Sequence, residues 1–188
     1  ISSMINEKNK ILESVSVLRL RLANNTIGHN GIKNFSESLQ KNPEALGCLK
    51  TLDLRYCGNF SNVRSLSDHE LQELLRLLSD HAILPSLTIL DLSKNSLTIN
   101  TNIIECLFDL LKARKQQIRT LDIRSNSWTN DVKSDILLGS LCKFAQEHPD
   151  GLQKFKIDLD LDKVFGSKEY ESVCIRNETS QFTFSLKH

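Results

Sequence analysis

One eleven-residue pattern recurs along this chain of 188 residues. Leucine-like and asparagine positions follow the order L-x-x-L-x-L-x-x-N-x-L in VLRLRLANNTI (17–27), LKTLDLRYCGNF (49–60), LTILDLSKNSL (87–97) and IRTLDIRSNSW (118–128). A fifth stretch, LQKFKIDLD (152–160), keeps the apolar spacing but lacks the asparagine. The starts are 32, 38, 31 and 34 residues apart. Because one such unit cannot bury its apolar face alone, the pattern predicts a stacked array of similar units.

The segments between these stretches have helical periodicity. In SDHELQELLRLLSD (67–80), leucines at i, i+3, i+4 and i+7 form one apolar stripe, and Ser67 and Glu70 have capping-box spacing. NIIECLFDLLKA (102–113) repeats both features with Asn102 and Glu105 as the expected cap. The stretches 31–43 and 134–149 show similar apolar spacing and end at proline, which stops a helix. Each unit is therefore predicted to be a strand, a turn and a helix.

The order, spacing and residue types of the pattern resemble the leucine-rich repeat family, and the long period resembles its ribonuclease-inhibitor-like branch. The resemblance covers roughly residues 17–160. It implies an α/β fold, a right-handed solenoid or horseshoe with a parallel sheet on the concave face and helices on the convex face. Residues 1–16 are expected to form an N-terminal helical cap. Residues 161–188, which include the alternating strand signature QFTFSL, are expected to form a C-terminal cap or the start of another domain.

The same resemblance implies a structural role for the asparagines. Asn25, Asn95 and Asn126 would turn inward and bond backbone groups of adjacent turns, and Cys57 occupies this position in the second stretch. A buried unpaired amide costs about 1–3 kcal/mol, so the position requires a side chain that both donates and accepts. Trp128 follows the asparagine and is expected to face the core.

Charge and composition narrow the class of function. The formal net charge is +1 and no basic block occurs, which does not favour nucleic-acid binding. No apolar run approaches the roughly 18 residues of a membrane helix, and no signal peptide is visible. The five cysteines are odd in number and form no C-x-x-C motif, so we expect reduced thiols in a cytoplasmic monomer. The abundance of Asn, Lys, Ile and Ser resembles effectors that intracellular bacteria secrete into the host cytosol.

Catalytic and cofactor motifs are not evident. His69-Glu70 begins like a zinc-protease motif, but position 73 is glutamate rather than the second histidine. Neither a phosphate-binding glycine loop nor a nucleophile-elbow motif occurs. We therefore expect no enzyme activity, no metal and no cofactor.

The candidate site is a surface formed by strand residues that point away from the core. The central outward position of the five strands reads Arg21, Asp53, Asp91, Asp122 and Lys156. Beside this row lie Arg55, Tyr56, Lys94 and Arg124, with Tyr56 as the expected exposed anchor. Asp91 is expected to be the least compensated carboxylate, since Ser93 replaces the arginine found in the neighbouring stretches. The row is either a family habit without function or a contact surface for a partner that carries basic residues.

The resemblance implies protein–protein recognition through the concave surface, in the manner of a bacterial effector acting on host proteins. Two alternatives remain open at this point. The chain could regulate an enzyme, as an inhibitor or a GTPase activator, or it could select substrates for a larger enzyme such as a ubiquitin ligase.

Overall fold

The structure is a computed structural model that describes most of the region from residue 19 to residue 128 and shorter segments beyond it. The described residues are 19–57 except 24 and 26, 68–128 except 96, 115 and 116, then 139, 140, 143, 144, 147, 154–159, 174–176 and 181–186. The predicted N-terminal cap (1–16) and the capping residue Ser67 lie outside them. So do the side chains of Trp128 and Lys156, and most of the predicted helix 134–149.

Strands and helices alternate over residues 19–122, apart from one short additional strand, as the sequence pattern predicted. The elements are β1 (Arg19–Arg21), α1 (Gly28–Lys41), β2 (Thr51–Asp53), α2 (Asp68–Ser79), β3 (Ile89–Asp91), β4 (Thr98–Ile99), α3 (Thr101–Ala113), β5 (Thr120–Asp122), β6 (Ser127–Trp128), β7 (Lys154–Leu159), β8 (Cys174–Arg176) and β9 (Gln181–Leu186). The expectation of an α/β protein with a parallel sheet is confirmed.

The main sheet has the strand order β1-β2-β3-β5-β7-β9-β8. Every neighbouring pair is parallel except β8 and β9, which are antiparallel. The register pairs Arg19 with Thr51, Thr51 with Ile89, Ile89 with Thr120 and Thr120 with Lys154. Each of these residues is the third of its aligned stretch, so the sheet register reproduces the sequence alignment position by position.

The core lies between one face of this sheet and the helices. Leu52, Leu90 and Leu121 are fully buried, and they belong to one apolar cluster with residues of all three helices. Helix α1 packs against α2, and α2 packs against α3. Burying a leucine side chain contributes about 1.5–3 kcal/mol, so the regular leucine positions account for the stacking of successive units. Of the cysteines described, Cys57 and Cys106 are buried in this core and Cys48 is exposed, all three as free thiols.

The structure corrects two predicted helix starts. Helix α3 begins at Thr101, and its cap is Asn100 rather than Asn102: the Asn100 side chain accepts a hydrogen bond from the Ile103 amide at 3.0 Å. Helix α1 begins at Gly28, three residues before the predicted start, where a positive φ of 59° suits glycine. Local spacing alone does not distinguish between neighbouring cap candidates.

Two strand features complete the fold. Strands β4 and β6 form a separate two-stranded parallel sheet directly after the turns of the third and fourth stretches, which the sequence pattern did not predict. The strand predicted from QFTFSL is confirmed as β9, and it pairs with β7, so it covers an edge that β7 would otherwise expose.

Among the helices that the structure describes, none has the length and apolar character needed to cross a membrane.

A buried arginine, for which the sequence carries no signal, joins two successive units. Arg114 follows α3 and is only 1% exposed. Its Nη1 donates to the carbonyl of Leu84 at 2.9 Å, and its Nη2 donates to the carbonyls of Asp80 and Ile83. Burial lowers the pKa of this guanidinium. The end of α3 is thereby held to the loop that follows α2.

Candidate functional site

The sheet face turned away from the core carries the predicted row of charged residues. Register pairs Arg21 with Asp53, Asp53 with Asp91, Asp91 with Asp122, and Asp122 with Lys156. Because alternate strand residues point to opposite faces, this row lies on the side opposite the buried leucines. We call this side of the sheet, with the turn residues that directly follow its strands, the aspartate face. Side chains at paired positions on neighbouring strands of this face are about 4.8 Å apart.

Each aspartate of the row shapes the turn at the end of its own strand. Oδ1 of Asp53, Asp91 and Asp122 accepts a hydrogen bond from the backbone amide two residues later, at 3.2, 3.0 and 3.2 Å. Such bonds are the usual means by which aspartate fixes a tight turn. The recurrence of aspartate at this position therefore has a structural reason in addition to any role in binding.

Two of the three aspartates are covered by arginines. Arg55 donates Nε to Asp53 Oδ1 at 2.9 Å and Nη2 to Oδ2 at 2.7 Å, and Arg124 forms the same two bonds with Asp122 at 3.0 and 2.8 Å. The side chains of Asp53 and Asp122 are 6% and 4% exposed, whereas those of Arg55 and Arg124 are 45% and 39% exposed. At these two positions of the predicted row, solvent therefore meets guanidinium groups rather than carboxylates.

The pKa shifts of Asp53 and Arg55 follow from their pairing. Hydrogen bonds from Arg55 hold the pKa of the Asp53 carboxyl below its ordinary value, against the opposing effect of burial. The same bonds raise the pKa of Arg55, with further contributions from the charges of Asp91 and Asp122. Both members of the pair are thus fixed in their charged forms, and the guanidinium is held in one orientation by a bidentate contact.

Asp91 has a different environment because Ser93 takes the place of the arginine. Asp91 Oδ1 accepts a 2.7 Å hydrogen bond from the Ser93 hydroxyl, and Oδ2 lies 3.4 Å from Nε of Arg55, in the turn after the neighbouring strand β2. Its side chain is 20% exposed. Burial raises the pKa of Asp91, and the charge of Asp122 adds to this effect, while the bonds from Ser93 and the charge of Arg55 oppose it. Asp91 therefore has less cationic support than Asp53, as the sequence predicted.

The asparagines behind these turns connect one turn to the next. Asn95 Nδ2 donates to the carbonyl of Leu54 at 2.8 Å, and its Oδ1 accepts from the Cys57 amide at 2.7 Å. Asn126 repeats this arrangement one turn later: it donates to the Leu92 carbonyl, and it accepts from the amides of Asn95 and Leu97. Both side chains are buried. The inward orientation implied for Asn95 and Asn126 is confirmed.

The first asparagine and the cysteine in this series behave differently. Asn25 donates to the carbonyls of its own turn, Leu22 and Ala23, as Asn95 does to Leu92 and Ser93, but its side chain is exposed rather than buried. A turn before it, to which it would bond, lies outside the described residues. The Cys57 thiol donates to the Leu22 carbonyl at 3.2 Å, and burial raises the pKa of this thiol to about 12. Cys57 is therefore a neutral hydrogen-bond donor within the stack of turns.

The residues directly before Cys57, Asn95 and Asn126 share a left-handed backbone conformation. Tyr56, Lys94 and Ser125 have φ values of 52°, 59° and 56°. The Lys94 ammonium lies 5.2 Å from the centre of the Tyr56 ring, a distance at which a cation is attracted to an aromatic face. Tyr56 is consequently half-buried beneath the next turn rather than openly exposed as expected.

Over the side chains that the structure describes, the accessible charge of the aspartate face is mainly positive. Arg19, Arg21, Arg55 and Lys94 are exposed, and Arg124 is partly exposed. Lys156 continues the row in the backbone register. Among the side chains that the structure describes on this face, Asp91 carries the one partly accessible carboxylate. Within the described residues, no group of three or more histidine, cysteine, aspartate or glutamate side chains could hold a metal ion.

Comparison with known proteins does not extend this picture. No family model matches the chain, and no curated protein matches its sequence.

Proposed function

We propose that this chain is a leucine-rich repeat solenoid of the ribonuclease-inhibitor-like type that binds a protein partner on its concave side. In this proposal the aspartate face is the concave side and the helices form the convex side. The register that follows the sequence repeat, the asparagine bonds between successive turns and the side-by-side helices support it.

The observation that carries the binding role is the pair of arginines held by buried aspartates. Arginine is enriched among the residues that dominate interface energies. Binding normally costs about 0.5–1.5 kcal/mol for each flexible side chain that becomes ordered. Arg55 and Arg124 are already oriented by bidentate contacts and remain accessible, so much of this cost is met within the fold.

An apolar side chain on the same face adds to this role. Ile89 precedes Asp91 by two residues on β3 and therefore shares its face, where it is half-buried between Thr51 and Thr120 of the adjacent strands. Protein interfaces combine an apolar centre with polar groups at the rim. Ile89 beside the arginine pairs gives the aspartate face both elements.

The test is affinity capture from eukaryotic cytosol with the full chain and two matched variants. Asp53→Asn/Arg55→Gln removes one pair from the face without changing the net charge. Glu105→Gln/Lys112→Gln does the same on exposed positions of α3. Each captured protein is then purified and its binary affinity for the three forms is measured.

We expect the face variant to lose affinity while the helix variant matches the parent, with similar melting temperatures for all three. Binding that depends on the helix pair and not on the face pair would overturn the proposal.

A further inference from the structure

The distribution of accessible charge on the aspartate face indicates what kind of partner fits it. The two carboxylates that the arginines cover cannot be reached by a partner without breaking bidentate contacts. The arginine side chains themselves remain 45% and 39% exposed, and a guanidinium group donates hydrogen bonds but accepts none. A partner that approaches this face therefore meets donors rather than acceptors at β2 and β5.

A short, buried side chain lies between the two arginines. Arg55 follows β2 and Arg124 follows β5, two strand spacings or about 10 Å apart. Ser93 occupies the intervening position, and its short side chain is turned onto Asp91. Ser93 is only 2% exposed, so a partner here meets the exposed guanidinium groups on either side of it and Lys94 at the turn beside it.

We infer that the partner segment bound on the aspartate face is acidic, with carboxylate side chains that pair with the exposed guanidinium groups of Arg55 and Arg124 on either side of Ser93. This inference rests on the proposed function, since it specifies the chemistry of the partner that the face would bind. It differs from the expectation of a basic partner, because two of the three aspartates in the row are buried beneath arginines.

An acidic peptide fits the charges of the aspartate face better than a nucleic acid does. A continuous phosphate backbone places one charge at every nucleotide, and here it would pass over Asp91, which lies between the two arginines. Single-stranded nucleic acids also rely on aromatic platforms for their bases, and Tyr56 lies beneath Lys94. An acidic peptide can place its carboxylates at the arginines and leave a neutral residue opposite Asp91.

Three synthetic probes test the inference with the purified full chain. The probes are a ten-residue glutamate peptide, a ten-residue lysine peptide and a ten-nucleotide single-stranded uridine RNA. Each is titrated at low and at physiological salt into the parent, Asp53→Asn/Arg55→Gln and Glu105→Gln/Lys112→Gln. Backbone amide chemical shifts report both affinity and location.

We expect the glutamate peptide to bind most tightly and to shift amides near Arg55, Ser93 and Arg124. Loss of one partly exposed ion pair in Asp53→Asn/Arg55→Gln should lower its affinity about threefold or more. The affinity should be unchanged in Glu105→Gln/Lys112→Gln. Added salt should weaken it, because exposed charges are screened.

Three results would overturn the inference. Tighter binding of the lysine peptide near Asp91 would establish a basic partner and leave the binding role of the face intact. Tighter, face-dependent binding of the RNA would replace the protein partner. Binding of no probe to the face would refute acidic recognition, and the capture experiment would still decide separately whether the face binds a protein.

Discussion

Arg55 and Asp53 lie two residues apart and form a bidentate pair, with Nε–Oδ1 and Nη2–Oδ2 distances of 2.9 and 2.7 Å. Arg124 and Asp122 reproduce this pair two strands away. The aspartate is buried and the arginine is accessible in both cases. The pairing therefore turns an acidic sequence pattern into a face whose accessible groups are mainly cationic.

Removal of Arg55 should destabilise the fold in a pH-dependent way. Arg55→Ala leaves the buried Asp53 carboxylate without its main partner, and we expect a loss of about 1–2 kcal/mol in unfolding free energy at pH 7, moderated by the exposure of Arg55. The folded pKa of Asp53 is lowered, so the stabilisation from the pair is fully present above the unfolded pKa of about 3.9. It is lost as the pH falls through the folded pKa.

Urea unfolding of parent and Arg55→Ala from pH 7 to pH 3 measures this effect. The gap between the two curves should narrow as Asp53 becomes protonated. A gap that stays constant over this range would show that Arg55 contributes through packing alone.

Asp91 should respond to pH in the opposite sense. Its folded pKa is raised, so the charged form disfavours the fold; this penalty is present above the folded pKa and disappears below the unfolded value near 3.9. Asp91→Asn keeps the Oδ1 acceptor for Ser93. We expect it to be neutral or up to about 1 kcal/mol more stable than the parent at pH 7, with the difference vanishing below about pH 4.

Asp91→Ala is the control for the hydrogen bonds that Asp91 accepts. It removes the acceptor of the Ser93 amide and hydroxyl bonds and should be less stable than Asp91→Asn at every pH. Equal stability of the two variants would contradict the structural role assigned to Oδ1.

Ser93→Arg should be tolerated although position 93 is buried. The substitution gives the third stretch the aspartate–arginine spacing of its two neighbours, so the new guanidinium can bind Asp91 as Arg55 binds Asp53. We expect unchanged or slightly higher stability and a fall in the pKa of Asp91, measured by NMR titration of the carboxyl carbon. A destabilisation of more than about 1 kcal/mol would mean that the third stretch cannot accept the geometry of the others.

Asn95→Leu should destabilise the chain far more than the same change at Asn25. Asn95 is buried and bonds Leu54 and Cys57 of the preceding turn, so leucine leaves several backbone groups unpaired at about 1–3 kcal/mol each. Asn25 is exposed and bonds only its own turn, and its replacement should cost less than about 1 kcal/mol. Comparable melting temperatures for the two variants would contradict the asparagine bonds between turns.

The strand register was predictable because it depends on a local pattern that recurs. Leu52, Leu90 and Leu121 hold the same place in their stretches, and a shift of one residue would move every leucine out of the core. The inward role of Asn95 and Asn126 follows from the same alignment, since a neighbouring turn must lie on both sides. Asn25 has no such turn before it among the described residues.

Other features depend on distances between side chains in the folded chain, which the spacing of residues along the sequence does not determine. The sequence places Asp53 and Arg55 on one face, but their burial and bidentate geometry arise only once the turn is closed. Arg114 resembles an ordinary basic residue at a helix end, and its burial depends on the approach of the loop at 80–84. The covering of Tyr56 by Lys94 requires two turns to lie against each other.

Site-specific photocrosslinking tests the central claim, that the aspartate face binds a protein partner, most directly. Benzoylphenylalanine is placed at Ile89, in the middle of the face, or at Glu105, on the exposed side of α3, and each protein is irradiated in eukaryotic cytosol. Our account predicts a discrete crosslinked protein from position 89 that Asp53→Asn/Arg55→Gln weakens, and none from position 105. A discrete product from position 105 alone would contradict it.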